Sequence, residues 1–217
     1  MTFFLRTEAE LAKGLKEVLK LDPRLKPVFE AAGMPPLRKR AEGFAGLAAI
    51  VTGQQLSTAS AAAIWTRVAT AFDPFEPAAL RKARPARLAR LGLSAAKIKT
   101  LKAIAKAIDD GEIDFTRIAD MPADEAHTLL TSVHGIGPWT ADLYLLFCLG
   151  HADAWPTGDL AVQEALRVAF GLETRPTAKQ MQTYGEAWRP WRGVAAYLLW
   201  TYYRAIKRRD FVPVNPT

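Results

Sequence analysis

Apolar residues in this chain recur at three- and four-residue steps, and no stretch sustains the apolar–polar alternation of a half-buried strand. That pattern leaves few folds other than a helical one. Leu11, Leu15, Val18 and Leu19 share one face behind Thr7 and Glu10, which have capping-box spacing. Ser94 is placed to cap a helix carrying Ile98, Leu101, Ile104 and Ile108, with Gly111 just past its end. Further helices are expected over residues 44–51, 57–72, 122–131, 138–149, 159–170, 177–188 and 190–207. Between them, Asp22-Pro23, Gly33-Met34-Pro35-Pro36 and Thr52-Gly53-Gln54-Gln55 read as breaks and turns. No internal repeat and no long linker interrupts the series, so an all-α fold is the expectation. At 217 residues and 50% apolar content the chain can bury one sizeable core or form two small lobes.

Charge and cysteine content narrow the function. Lys and Arg outnumber Asp and Glu by 29 to 22, a net +7 that suits a polyanionic partner. The single cysteine, Cys148, excludes an internal disulfide, a Cys-rich zinc site and a four-cysteine iron–sulfur cluster. His127, His134 and His151 lack metal-ligand spacing. Residues 1–10 show no secretory pattern, and the longest uncharged window, residues 43–66, holds too many Thr, Ser and Gln for a membrane span. A reduced, soluble, cytosolic protein is expected.

The segment Leu129-Leu130-Thr131-Ser132-Val133-His134-Gly135-Ile136-Gly137-Pro138-Trp139-Thr140-Ala141 carries the first chemical signal. A helix runs into Gly-Ile-Gly, and Pro138 opens the next helix where its missing N–H does no harm. Two glycines permit a tight hairpin with outward-facing N–H groups beside a helix N-terminus, which is a phosphate site. A bare Gly-x-Gly also serves as an ordinary helix connection; the flanking residues make this a helix–hairpin–helix motif of the kind that binds the DNA backbone. The second signal is Asp153-Ala154-Trp155-Pro156-Thr157-Gly158-Asp159-Leu160-Ala161-Val162-Gln163. On its own, Asp159 is a helix N-cap.

Together with Ile50-Val51-Thr52-Gly53-Gln54-Gln55-Leu56-Ser57, Gly92-Leu93-Ser94-Ala95-Ala96-Lys97 and Trp188-Arg189-Pro190-Trp191-Arg192 leading to Trp200, these stretches resemble the helix–hairpin–helix/Gly-Pro-Asp DNA glycosylase superfamily. Within it the chain is similar to the AlkA-type 3-methyladenine DNA glycosylases, in a short form without their N-terminal β-domain. The likeness spans roughly residues 40–205. It implies two helical lobes flanking a cleft: a central lobe of residues 38–150 with the hairpin, and a second lobe from residues 1–37 and 151–217.

The resemblance also implies roles. Asp159 is the catalytic carboxylate, favoured as an anion at a helix N-terminus and able to stabilise an oxocarbenium-like sugar. Trp139 and Trp200 line the base pocket, where an indole gains cation–π attraction to an alkylated base; both also read as core residues. Leu143 replaces the pocket tyrosine of better-known members, with Tyr144 beside it. Trp139 stands where strand-cleaving relatives carry a Schiff-base lysine, so a monofunctional enzyme is implied. Gln55 at the turn's tip, with Leu56, is the wedge that fills the gap left by a flipped base; a plain polar turn is the other reading.

The N–H groups of Gly135, Gly137 and Thr140 hold phosphate, and carbonyls of Thr131, Val133 and Ile136 hold a structural monovalent cation (sodium or potassium). No catalytic cofactor and no iron–sulfur cluster is implied. The expected partner is double-stranded DNA with a damaged base, met by a monomer in a bacterial-type cytoplasm at the nucleoid.

Basic runs accompany these motifs: Arg81, Lys82, Arg84, Arg87, Arg90, Lys97, Lys99, Lys102 and Lys106 without an intervening acid, then Arg204, Lys207, Arg208 and Arg209. DNA binding should therefore weaken steeply with salt. The alternatives are a same-fold glycosylase for deaminated, etheno or oxidised bases, and a non-catalytic helix–hairpin–helix DNA-binding module. The latter would not need Asp159, Trp139 and the Gln54-Gln55 turn together.

Overall fold

The computed structural model describes residues 2–210, with side chains through Lys207, and these are organised by helices. In chain order they are α1 (Glu8–Leu21), α2 (Lys26–Ala32), α3 (Gly43–Gly53), α4 (Thr58–Ala71), α5 (Pro77–Lys82), α6 (Pro85–Arg90), α7 (Ala95–Asp109), α8 (Phe115–Asp120), α9 (Ala123–Thr131), α10 (Pro138–Phe147), α11 (Leu160–Ala169), α12 (Ala178–Glu186) and α13 (Arg192–Asp210). Among the described residues the only extended pairing is an isolated bridge between Phe4 and His151. The all-α expectation holds. Thr7 and Glu10 close the capping box at α1, and Ser94 Oγ accepts from the Lys97 N–H at α7.

The chain divides into two compact units, Met1–Arg38 with Gly150–Thr217, and Lys39–Leu149. In the first, α13 packs against α1, α2 and α11. Buried Asp22 ties this unit together: it accepts from the Arg24 guanidinium and from Trp188 Nε1–H at 2.9 Å. The hydrogen bonds from Arg24, then that from Trp188, hold its carboxyl below the usual range.

In the second unit, α10 buries every residue from Thr140 to Phe147, so it is a central helix rather than an amphipathic one. It packs on α9 and α3, while α7 lies against α3, α5 and α6. The hairpin joining α9 to α10 is fixed at Gly135, where φ is +86° and a Cβ would stand 1.9 Å from Thr100 Oγ1 of α7. No other residue type fits there without displacing the Thr100 side chain.

Candidate active site

In the first unit, the segment ahead of α11 is held by contacts to α11, α12 and α13 and to the turn before α13. Arg192, 2% exposed, forks onto Asp153 with Nε–Oδ1 2.8 Å and a second nitrogen on Oδ2 at 2.9 Å, and Arg189 adds a further contact at 2.8 Å. Trp155 Nε1–H donates to the Met181 carbonyl, and Gln163 Nε2 donates to the Thr157 carbonyl from within α11. Asp159 is the last residue of this segment and the N-cap of α11. Its Oδ1 accepts from the N–H groups of Ala161 and Val162, each at 3.0 Å.

Trp200 of α13 donates its Nε1–H to the same oxygen, also at 3.0 Å. Three donors therefore converge on one carboxylate oxygen. Trp200 is nearly buried and meets Tyr197 edge-on. The Tyr197 hydroxyl donates to the Arg38 carbonyl, and burial pushes its pKa up to about 12.

The second unit carries the hairpin, the polar turn and Trp139. No described residue accepts from the N–H groups of Gly135 or Gly137, so both can meet a phosphate. Thr140 differs from its expected role. Its N–H donates to the Gly137 carbonyl at 3.0 Å, and its buried hydroxyl accepts from Gln54 Nε2 at 2.8 Å. The first turn of α10 itself engages that N–H.

The carbonyls of Thr131, Val133 and Ile136 bracket the same hairpin; that of Val133 accepts the Ile136 N–H and keeps a second lone pair. Among the described residues, no group of His, Cys, Asp and Glu could hold a metal ion.

Trp139 is half-buried and lines a cavity of about 320 Å³ with Arg40, Gly53, Leu56 and Trp65. Gln55 is exposed at φ +56°, and Leu56 is 40% exposed. The turn thus presents both side chains outward. Tyr144 corrects the sequence reading: it is fully buried, accepts from the Gly43 N–H at 3.0 Å and packs against Phe115. Burial drives its phenol pKa well up, as expected of a core residue. Leu143 is also nearly buried.

The basic run is only partly open. Arg81 pairs with Asp109, and Lys106 with Asp110. Arg87, Lys97 and Lys102 donate to the carbonyls of Ala71, Thr52 and Arg81. Lys82, Arg84, Arg90 and Lys99 remain exposed. Of the second run, the side chains of Arg208 and Arg209 lie outside the described residues.

Sequence reasoning missed Arg40 and Trp65, which carry no motif, and gave no role to Asp153 and Arg192. An acid ahead of the Asp159 segment and an arginine in Trp-Arg-Pro-Trp-Arg were the available signals.

The hairpin with its open Gly135 and Gly137 N–H groups and the aspartate that caps α11 both fall within residues 48–190, which match the family described as "HhH-GPD superfamily base excision DNA repair protein". The chain belongs to that family. It is 31% identical over 183 residues to DNA-3-methyladenine glycosylase 1 of Schizosaccharomyces pombe, covering 82% of this chain and 79% of that one. Against the DNA-3-methyladenine glycosylase of Bacillus subtilis the identity is 29% over 216 residues, 88% of this chain and 71% of the relative. Among solved structures, the S. pombe 3-methyladenine DNA glycosylase in complex with abasic DNA superposes with TM-score 0.77 at 28% identity, over 87% of this chain and 95% of the other. The DNA-3-methyladenine glycosidase of Bacillus halodurans gives 0.80 at 27%, over 96% and 94%.

Proposed function

We propose that the chain is a monofunctional DNA glycosylase that flips alkylated bases of the 3-methyladenine type out of duplex DNA and hydrolyses their N-glycosidic bond, leaving an abasic site for base excision repair. The Asp159 carboxylate, clamped by Ala161, Val162 and Trp200, is the observation that carries this reading.

Breaking the bond places positive charge on the sugar, and a fixed anion lowers the energy of that state. The same carboxylate orients or deprotonates the attacking water. An alkylated purine is already cationic, so it leaves without a general acid, and one carboxylate suffices. Gly135 and Gly137 hold the backbone phosphate; a monovalent cation at the Thr131, Val133 and Ile136 carbonyls would add positive charge at that contact. Gln55, with Leu56, enters the stack where the base has left. Trp139 faces the cationic base through its indole and offers no amine for a Schiff base. Its place of work is the cytoplasm, at the nucleoid where duplex DNA lies; separately, among the described residues no helix is long and apolar enough to cross a membrane.

The test is release of free base from duplexes carrying 3-methyladenine, 7-methylguanine, ethenoadenine or hypoxanthine, with borohydride trapping in parallel. Methylated base should be released with no trapped adduct. Failure to release any of the four bases refutes the reading, and a covalent adduct refutes its monofunctional part.

A further inference from the structure

The turn between α3 and α4 is fastened by side chains from two other helices. Gln55 is the only non-glycine among the described residues with a left-handed backbone, a conformation that side-chain-bearing residues adopt at a cost. Something must hold it. Lys97 Nζ of α7 donates to the Thr52 carbonyl at 2.8 Å, at the C-terminal end of α3 where a cation is favoured. From the other side, Gln54 Nε2 donates to Thr140 Oγ1 at 2.8 Å, on the first turn of α10.

One turn along α7 from Lys97 is Thr100, whose side chain occupies the space that a Cβ at Gly135 would need. Residues three apart share a helix face. The same face of α7 therefore grips the polar turn at one end and abuts the phosphate-binding hairpin at the other. The first turn of α7 is itself fixed, since Ser94 Oγ caps the Lys97 N–H. Lys97 is half-buried, which lowers its pKa, and its Nζ donates to the Thr52 carbonyl from within that partly dry site.

We propose that Lys97 is a positioning residue: α7 sets the spacing between hairpin and wedge turn, with Lys97 holding the turn and the Gln54–Thr140 bond closing the assembly. This rests on the reading above that the Gln55 turn enters the duplex. Phosphate seated at Gly135 and Gly137 then places Gln55 at a defined step along the strand. Loss of Lys97 frees the turn and leaves the hairpin intact. It is thus distinct from a phosphate-binding lysine, whose loss weakens every duplex alike.

The experiment compares Lys97→Met and Lys97→Arg with the parent by three readouts. These are hydrogen exchange of residues 53–57, fluorescence of 2-aminopurine beside the lesion, and affinity for undamaged duplex. Lys97→Met should speed exchange in the turn about tenfold, as loss of one charge-assisted bond permits, and should cut the flipping signal. Its affinity for undamaged duplex should match the parent, and Lys97→Arg should restore slow exchange. If Lys97→Met does not fold, Gln54→Met removes the second fastening and should loosen the same five residues.

Parental exchange at 53–57 in these variants would overturn the proposal. So would a loss of undamaged-duplex affinity with a shallower salt slope. Should the parent release no base, the glycosylase reading alone fails, because exchange in the turn still decides the role of Lys97.

Discussion

Gly135→Ala tests whether the hairpin is built as described. At φ +86° a residue with a side chain pays a left-handed penalty of roughly 1–2 kcal/mol. The new methyl would stand 1.9 Å from Thr100 Oγ1 and 2.8 Å from both Thr100 Cβ and Cγ2. Relieving such overlap in a packed site adds about 1–3 kcal/mol. The variant should therefore lose about 2–5 kcal/mol, a large part of a stability of order 5–15 kcal/mol.

Urea unfolding followed by circular dichroism reads this as a lower midpoint at unchanged slope. Thr100→Ala in the same chain removes Oγ1 and Cγ2, so Gly135→Ala/Thr100→Ala should recover part of the loss. The backbone component stays, because it does not depend on Thr100. Affinity for any duplex should fall in Gly135→Ala, since the displaced hairpin no longer aims its N–H groups at phosphate. A parental midpoint for Gly135→Ala, or full recovery in the double variant, would mean that Thr100 and the left-handed backbone do not hold the hairpin in this way.

Two further outcomes are expected. Trp200→Phe keeps an aromatic ring in α13 but removes the N–H that holds Asp159 Oδ1. Loss of about 1.5–3 kcal/mol should lower the single-turnover rate of base release roughly ten- to hundred-fold while duplex binding persists, and a parental rate would contradict it. Asp22 has a folded pKa below its unfolded value, through Arg24 first and then Trp188. The unfolded chain therefore takes up this proton first, and the stability is present above about pH 4 and lost as pH falls through the folded value. The urea midpoint should drop on acidification, and less steeply in Asp22→Asn; an equally steep drop in that variant would contradict the role.

Helices α1 and α7 were legible because each buries several residues at helical spacing behind a recognisable cap, Thr7 and Ser94 respectively. The short ones were not. Helices α5, α6 and α8 each bury a single side chain, Leu80, Leu88 and Ile118 respectively, and one buried residue has no period.

The site divides in the same way. Asp159 and the hairpin glycines stand in local motifs that can be read along the chain. The Trp200–Asp159 bond joins residues 41 positions apart, and that pairing exists only once α11 packs on α13. Tyr144 misled because α10 is buried on all sides, so sequence alone could not tell a pocket face from a core face. Lys97 looked like one charge among nine; its carbonyl partner lies 45 residues away in α3.

Asp159→Asn isolates the charge of this carboxylate, because asparagine keeps an oxygen for the Ala161 and Val162 N–H groups. Single-turnover release of methylated base from an alkylated duplex should proceed in the parent and fall by about two orders of magnitude or more in the variant, which still binds that duplex as tightly. Release at the parental rate by Asp159→Asn would contradict the assignment of the reaction to this carboxylate.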